Sequence, residues 1–118
     1  MLELNASSGR PIIVAGMHRS GTSLVGSLMN ALGVDMGLNL VPADAQNPRG
    51  YFEDADVVSL HGRMFQDALN GAESGHVDWG WTEKGAVDPG ALEGWADEAK
   101  QAVAERGSRR GNWGFKDP

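Results

Sequence analysis

The fold class is predicted from one stretch, Pro11-Ile-Ile-Val-Ala-Gly-Met-His-Arg-Ser-Gly-Thr-Ser-Leu24. Its apolar residues 12–15 are too few for a helix and are typical of a short strand covered on both faces. Gly16 and Gly21 bracket the loop that follows, and a helix is predicted to begin at about Ser20. A strand, a tight loop and a helix in this order predict an α/β fold with a parallel sheet flanked by helices.

The loop between this strand and this helix has the composition of an anion-binding site. The first backbone N–H groups of a helix have no partner within the helix, and the helix dipole favours negative charge at that end. Thr22 and Ser23 add two hydroxyl groups, and Arg19 adds a fixed positive charge with planar donors. The loop therefore predicts a phosphate or sulfate site. Its predicted binding residues are Gly16, His18, Arg19, Ser20, Gly21, Thr22 and Ser23.

The loop departs at one position from the nucleotide-binding pattern G-x-x-x-x-G-K-[ST]. Residues 16–23 fit this pattern except that Thr22 stands where the lysine belongs. A kinase or a GTPase with this change would lose its lysine contact to the terminal phosphates. A nucleotide-dependent kinase with a degenerate loop therefore stays only an alternative.

Three segments of the sequence resemble one family, in the family's own order. The Arg-Ser-Gly-Thr-Ser run of residues 19–23 resembles the 5′-phosphosulfate loop of sulfotransferases that use 3′-phosphoadenosine 5′-phosphosulfate (PAPS). Asn47-Pro-Arg-Gly-Tyr-Phe-Glu53 and Trp113-Gly-Phe-Lys-Asp-Pro118 resemble later segments of the bacterial sulfotransferase-like family. The likeness covers residues 11–60 and 113–118 and is weak between them.

The resemblance implies a P-loop-type sheet and the transfer of a sulfuryl group from PAPS to a hydroxyl or amine. PAPS would then be the co-substrate, no metal would be required, and the acceptor would be a small molecule or a carbohydrate. Arg19 would stabilise charge on the bridging oxygen as the sulfur–oxygen bond breaks. In the family the 3′-phosphate site follows the position of Pro118. We therefore expect residues 11–118 to be the N-terminal part of such a domain, with residues 1–10 as a flexible lead-in.

That expectation is compatible with two further interpretations of the chain. A chain that ends before the 3′-phosphate site could be an inactive piece of the enzyme, or a non-catalytic binding domain of the same fold.

Two residues are candidates for the general base that takes the acceptor's proton. Glu53 ends the second family-like segment, and some members of the wider family use a glutamate base shortly after the loop. The Tyr51 and Phe52 rings could give it the apolar surroundings that a carboxylate base needs, whereas an ordinary acid at a helix start is an equally good interpretation. His61 is the second candidate because histidine titrates in the right range. Its place on the apolar face of a helix favours a buried structural role instead.

Composition limits the classes of partner. The 118 residues carry a net charge of −6, and the acidic residues cluster at 53–56 and 93–105. We expect no nucleic-acid partner, because the sequence has no continuous basic stripe. The chain has no cysteine, which fits a reducing compartment, and we expect a cytoplasmic location. No apolar run approaches membrane-spanning length, so no membrane span is expected.

Hydrophobic spacing and capping residues predict three helices and a second strand. The helices are predicted over residues 20–32, over residues 53–69, and over residues 89–106 with Asp88 as the N-cap. The second strand is predicted over residues 112–115. These elements alternate as an α/β fold requires.

Ordinary roles are expected for the charged side chains outside the loop. Arg49 is expected to pair with Asp54 rather than to reach an anion. Arg106 is expected to lie in solvent at a helix end, where cations complement the dipole. Lys116 is expected to face solvent. Asp117 is expected to bind the loop hydroxyls or Arg19, because it follows the second strand.

Overall fold

The computed structural model describes residues 10–17, 19–68, 88–109 and 111–117. Within these ranges the chain forms two strands and four helices, which are β1 (Ile12–Ala15), α1 (Thr22–Ala31), α2 (Ala55–Ala68), α3 (Pro89–Glu93), α4 (Ala96–Gly107) and β2 (Gly114–Asp117). The strands β1 and β2 are parallel neighbours, with Ile12 opposite Gly114 and Ala15 opposite Asp117. The α/β prediction is confirmed at this level. The predicted lead-in falls almost entirely outside the described residues.

The two faces of β2 carry different chemistry. Side chains alternate along a strand, so Lys116 lies on one face while Phe115 and Asp117 share the other. Lys116 lies beside α1, where a Cβ added to Gly26 would come 3.7 Å from Lys116 Cδ and 3.0 Å from Phe52 Cβ. The helix α1 can therefore approach this closely only because Gly26 has no side chain. His61 of α2 contacts the opposite face of the strand.

The described chain has one apolar core cluster that includes residues of β1. Its buried centre and the partly buried residues packed on it are Val14, Val34, Met36, Ile12, Met29 and Leu40. Four further hydrophobic residues are buried outside this cluster, namely Val57, Leu60, Ala68 and Trp113. The predicted apolar face of α1 is divided, because Met29 packs on this core while Leu24, Leu28 and Leu32 remain more than half exposed. Within the described ranges, no helix has the length and apolar character to cross a membrane.

The long third helix predicted from the sequence is two helices. Asp88 caps α3 as predicted, by accepting the N–H of Gly90 at 2.9 Å. The chain then turns at Gly94 and Trp95 before α4 begins. Glycine has a low helix propensity, and the Trp95 indole N–H donates to Asp67 Oδ2 at 2.9 Å, which anchors the turn to α2. The second strand also begins two residues later than predicted, at Gly114.

A buried ion pair joins the start of α2 to the end of α4. Arg106 Nε lies 2.7 Å from Asp54 Oδ2, and its Nη2 lies 3.1 Å from Oδ1. Asp54 Oδ1 also accepts the N–H groups of Asp56 and Val57, so this carboxylate caps α2. The hydrogen bonds to Asp54 hold the pKa of Arg106 above its usual range. The expectations of a solvated Arg106 and of a pair between Asp54 and Arg49 were wrong, because a buried carboxylate needs a buried cation.

Candidate anion-binding site

The predicted binding loop lies on the surface between β1 and α1. Gly16, Arg19, Ser20 and Gly21 are all exposed. Gly21 has a φ of 91°, which favours glycine, and no side chain caps α1 at this position. The helix start is therefore open to an external anion. The prediction for His18 lies outside the described residues.

The first two residues of α1 have different surroundings. Thr22 is buried, whereas Ser23 is partly exposed. Ser23 Oγ accepts hydrogen bonds from Lys116 Nζ and from Asn47 Nδ2, each at 3.1 Å. Ser23 therefore connects the loop to two distant parts of the chain.

Lys116 lies at the centre of the site, although the sequence predicted that it faces solvent. Its ammonium donates to Ser23 Oγ at 3.1 Å, to the Tyr51 carbonyl oxygen at 3.0 Å and to Glu53 Oε1 at 2.7 Å. An ammonium has three protons, so each has an acceptor. The prediction was wrong because β2 extends to residue 117, which places Lys116 inside the strand and against α1. Burial of this charge is tolerated because Glu53 neutralises it.

Phe52 explains how two neighbouring segments reach the same cation. Its φ is 57°, in the left-handed region. Among the described residues, Arg19, with a φ of 64°, is the other non-glycine residue that has a positive φ. The left-handed turn at Phe52 lets the carbonyl of Tyr51 and the carboxylate of Glu53 meet at Lys116. Such strained residues persist when the surrounding structure holds them, and they cluster at functional sites.

Asn47 is held in position by a carboxylate turn. Asp44 Oδ1 accepts the N–H groups of Gln46 and Asn47, each at 2.9 Å. The Tyr51 hydroxyl donates to the same carboxylate at 2.8 Å. This hydroxyl contact, more than any other cause, holds the pKa of Asp44 below its ordinary value and raises the pKa of Tyr51. The turn therefore fixes the residue whose amide reaches Ser23.

His61 and Asp117 form a second polar contact, on the opposite face of the sheet. His61 Nδ1 forms an ion-pair contact with Asp117 Oδ2, and its ring lies edge-on to Phe115 with 6.0 Å between the ring centroids. Asp117 was expected to bind the loop hydroxyls or Arg19, but the alternation of side chains along β2 turns it towards α2. Its strand partner is Ala15, the residue just before the loop. His61 is partly exposed rather than fully buried.

Sequence reasoning found part of this arrangement. Ser23 and Glu53 were singled out, and the structure connects both to Lys116. Asn47 and Lys116 were missed as site residues. Both lie within residues 47–53 and 113–118, the segments that the sequence analysis singled out, so the available signal was membership of those segments rather than residue type.

Comparison of the chain with protein-family models, with curated proteins and with solved structures gave no match. The residues and contacts described above are therefore the basis for proposing a function. They combine an exposed glycine loop, a helix start without a side-chain cap, and a buried lysine that donates a hydrogen bond to Ser23.

Proposed function

We propose that the chain belongs to a PAPS-dependent sulfotransferase with a P-loop-type sheet, which transfers a sulfuryl group to a hydroxyl or amine of a small-molecule or carbohydrate acceptor. The observation that carries this proposal is the meeting of three segments at Lys116. Residues 19–23, 47–53 and 113–118 each resemble the same family. Hydrogen bonds of Ser23 and Lys116 join all three segments. Chance similarities scattered along a chain would have no reason to converge on one side chain.

The loop has the chemistry that the phosphosulfate of PAPS requires. Its exposed glycines and the uncapped start of α1 leave backbone N–H groups for anionic oxygens. The hydroxyls of Thr22 and Ser23 and the guanidinium of Arg19 would add side-chain donors. When bound, PAPS would supply the activated sulfuryl group, and these residues would hold it and stabilise the leaving phosphate.

The acceptor must lose a proton during the transfer. Its oxygen or nitrogen forms a bond to sulfur, the bond from sulfur to the bridging phosphate oxygen breaks, and the proton passes to a base. Lys116 binds Glu53 Oε1 at 2.7 Å on the loop side of β2, whereas His61 contacts the opposite face of the strand. Glu53 is therefore the candidate base that lies on the side of the loop, and Lys116 holds its carboxylate there.

The choice of base is tested by comparing His61→Asn with Glu53→Gln in the intact protein. We expect Glu53→Gln to lower kcat by about 10²–10⁴-fold, whereas His61→Asn should leave kcat within about tenfold of the unaltered protein. An unchanged kcat for Glu53→Gln would assign the base elsewhere.

The function itself is tested by calorimetry with PAPS, with its product 3′-phosphoadenosine 5′-phosphate (PAP), and with ATP–Mg²⁺. The intact protein should bind PAPS and PAP, and Arg19→Ala should lower turnover by about 10²–10³-fold. Arg63→Ala is the matched control, because Arg63 is an exposed arginine of α2 paired with Glu98. Uptake of ATP–Mg²⁺ with no response to PAPS would replace the proposal with the kinase alternative. Binding of PAPS with no turnover on any acceptor would favour a non-catalytic binding domain.

A further inference from the structure

Ser23 and Ser27 lie one turn apart on α1, yet their hydroxyls make opposite kinds of hydrogen bond. Ser27 Oγ donates to the Leu24 carbonyl oxygen at 2.7 Å, as serines within helices commonly do. Ser23 Oγ instead accepts from Lys116 Nζ and from Asn47 Nδ2. The difference comes from residues far away in the sequence.

The two contacts determine where the proton of Ser23 can go. A hydroxyl has one proton and two lone pairs, while an ammonium and an amide NH₂ group can only donate. Lys116 and Asn47 therefore occupy both lone pairs of Ser23 Oγ. Among the described residues, none accepts a hydrogen bond from Ser23 Oγ. The hydroxyl has a proton to donate and no remaining capacity to accept.

The fold holds Lys116 through its side chain and Asn47 through its backbone. Lys116 uses its other two protons on the Tyr51 carbonyl oxygen and on Glu53 Oε1. The backbone N–H of Asn47 is bound by Asp44 Oδ1. The orientation of the Ser23 hydroxyl is thus set by the fold before any ligand arrives, which lowers the cost of binding.

We propose that Lys116 and Asn47 are positioning residues that lock the Ser23 hydroxyl as a hydrogen-bond donor. The locked hydroxyl selects a ligand group that can only accept, namely a fully ionised phosphate or sulfate oxyanion at the start of α1. It discriminates against a group that would have to donate a proton to Ser23. This inference deepens the proposed function, on which the identity of the nucleotide rests.

The test is the affinity of the intact protein for PAP, measured by calorimetry on variants that change the hydrogen bonds to Ser23 Oγ. Asn47→Asp replaces an amide donor with a carboxylate that accepts the Ser23 proton, so PAP should bind about 10- to 100-fold more weakly. Gln46→Asp adds the same charge one residue away without a contact to Ser23, and it should weaken PAP binding by no more than about fivefold. Ser27→Ala should leave the affinity unchanged.

A double-mutant cycle separates the lock from a structural role. In a Ser23→Ala background the hydroxyl is absent, so Asn47→Asp should cause no loss beyond that of the Gln46→Asp control. Equal losses with and without the Ser23 hydroxyl would overturn the lock. If Asn47→Asp fails to fold by circular dichroism, Ser23→Ala against Ser27→Ala decides. A loss of about tenfold or more for Ser23→Ala alone supports the donor role, and equal affinities refute it.

Failure of the proposed function can be recognised separately. If the unaltered protein binds neither PAPS nor PAP, the sulfotransferase proposal fails, and inorganic sulfate and phosphate become the probes for the same variants. If Asn47→Asp weakens the binding of either ion more than Gln46→Asp and Ser27→Ala do, the proposed role of Lys116 and Asn47 holds even though the nucleotide does not bind. Absence of binding by either ion would overturn the lock as well.

Discussion

Glu53 and Asp54 are neighbours in the sequence, and each holds a different buried cation for a different purpose. Arg106 binds Asp54 through two hydrogen bonds, and the side chains are 7% and 1% exposed. Lys116 binds Glu53 through one, and these side chains are 3% and 14% exposed. The guanidinium is a rigid fork that matches one carboxylate, whereas the ammonium can direct three protons to three different groups.

The surroundings of the two pairs explain what each does. The partners of the Asp54 carboxylate are Arg106 and backbone N–H groups of α2, so this pair joins two helices and caps one of them. Lys116 sends its remaining protons to Ser23 and to the Tyr51 carbonyl, beside the exposed loop. Both are buried ion pairs, but the pair of Asp54 joins two helices, whereas the pair of Glu53 holds the lysine beside a candidate binding site.

The largest expected effect on stability is at the helix connection. Arg106→Met leaves Asp54 buried without a cation and should lower the free energy of unfolding by about 3–5 kcal/mol, measured by urea denaturation. Asp56→Ala is the control, because Asp56 is exposed and lies 3.7 Å from Arg106 Nη2, and it should cost about 0–1 kcal/mol. Equal losses of unfolding free energy in the two variants would show that the buried pair with Asp54 stabilises the protein no more than the exposed Asp56 does.

Loss of the lysine should separate binding from stability. Lys116→Met should lower the free energy of unfolding by about 2–3 kcal/mol, less than Arg106→Met, because water can reach the partly exposed Glu53. It should also abolish measurable PAP binding at a temperature where the variant is folded. Adding Glu53→Gln should restore stability without restoring binding. Retention of PAP affinity in folded Lys116→Met would mean that both ion pairs are merely structural.

The loop that Lys116 supports should tolerate less change than an ordinary helix position. Gly21→Ala forces a side chain into a φ of 91° and should cost about 1–2 kcal/mol, although nothing lies within 4 Å of the new Cβ. Gly62→Ala in α2 also meets open space and should stabilise the protein by about 0.5–1 kcal/mol. Urea denaturation of both variants measures the difference, and the same sign for both would remove the claim of backbone strain.

The smallest expected effect concerns pH at the turn that holds Asn47. The pKa of Asp44 lies below its ordinary value near 3.8, so its contribution to stability is present above that value and is lost as the pH falls through the lowered pKa. The pKa of Tyr51 is raised, so its contribution is present below its ordinary value near 10.0 and is lost as the pH rises through the raised pKa. Tyr51→Phe should move the Asp44 titration upwards in a carboxyl ¹³C NMR experiment. An unmoved midpoint would contradict the role of the hydroxyl.

Signals within a few residues predicted most of the elements. The apolar run before Gly16 predicted β1, and the helix after Gly21 begins two residues later than expected. Asp88 and Pro89 predicted the start of α3, because an N-cap and a first-turn proline are local features. The break at Gly94 was missed because Asp67, to which Trp95 donates, lies on another helix.

Near neighbours in the sequence were enough to predict the strand–loop–helix start and the residue types of the proposed oxyanion site, because backbone preferences and helix-end donors are local features. Which cation meets which carboxylate depends on the packing of segments that are far apart in the sequence. Ser23 and Lys116 are 93 residues apart in the chain, and Asp54 and Arg106 are 52 apart. Burial and pairing of charges depend on which segments pack together, and no local pattern records that packing. The proposed direction of the Ser23 hydroxyl follows from that packing.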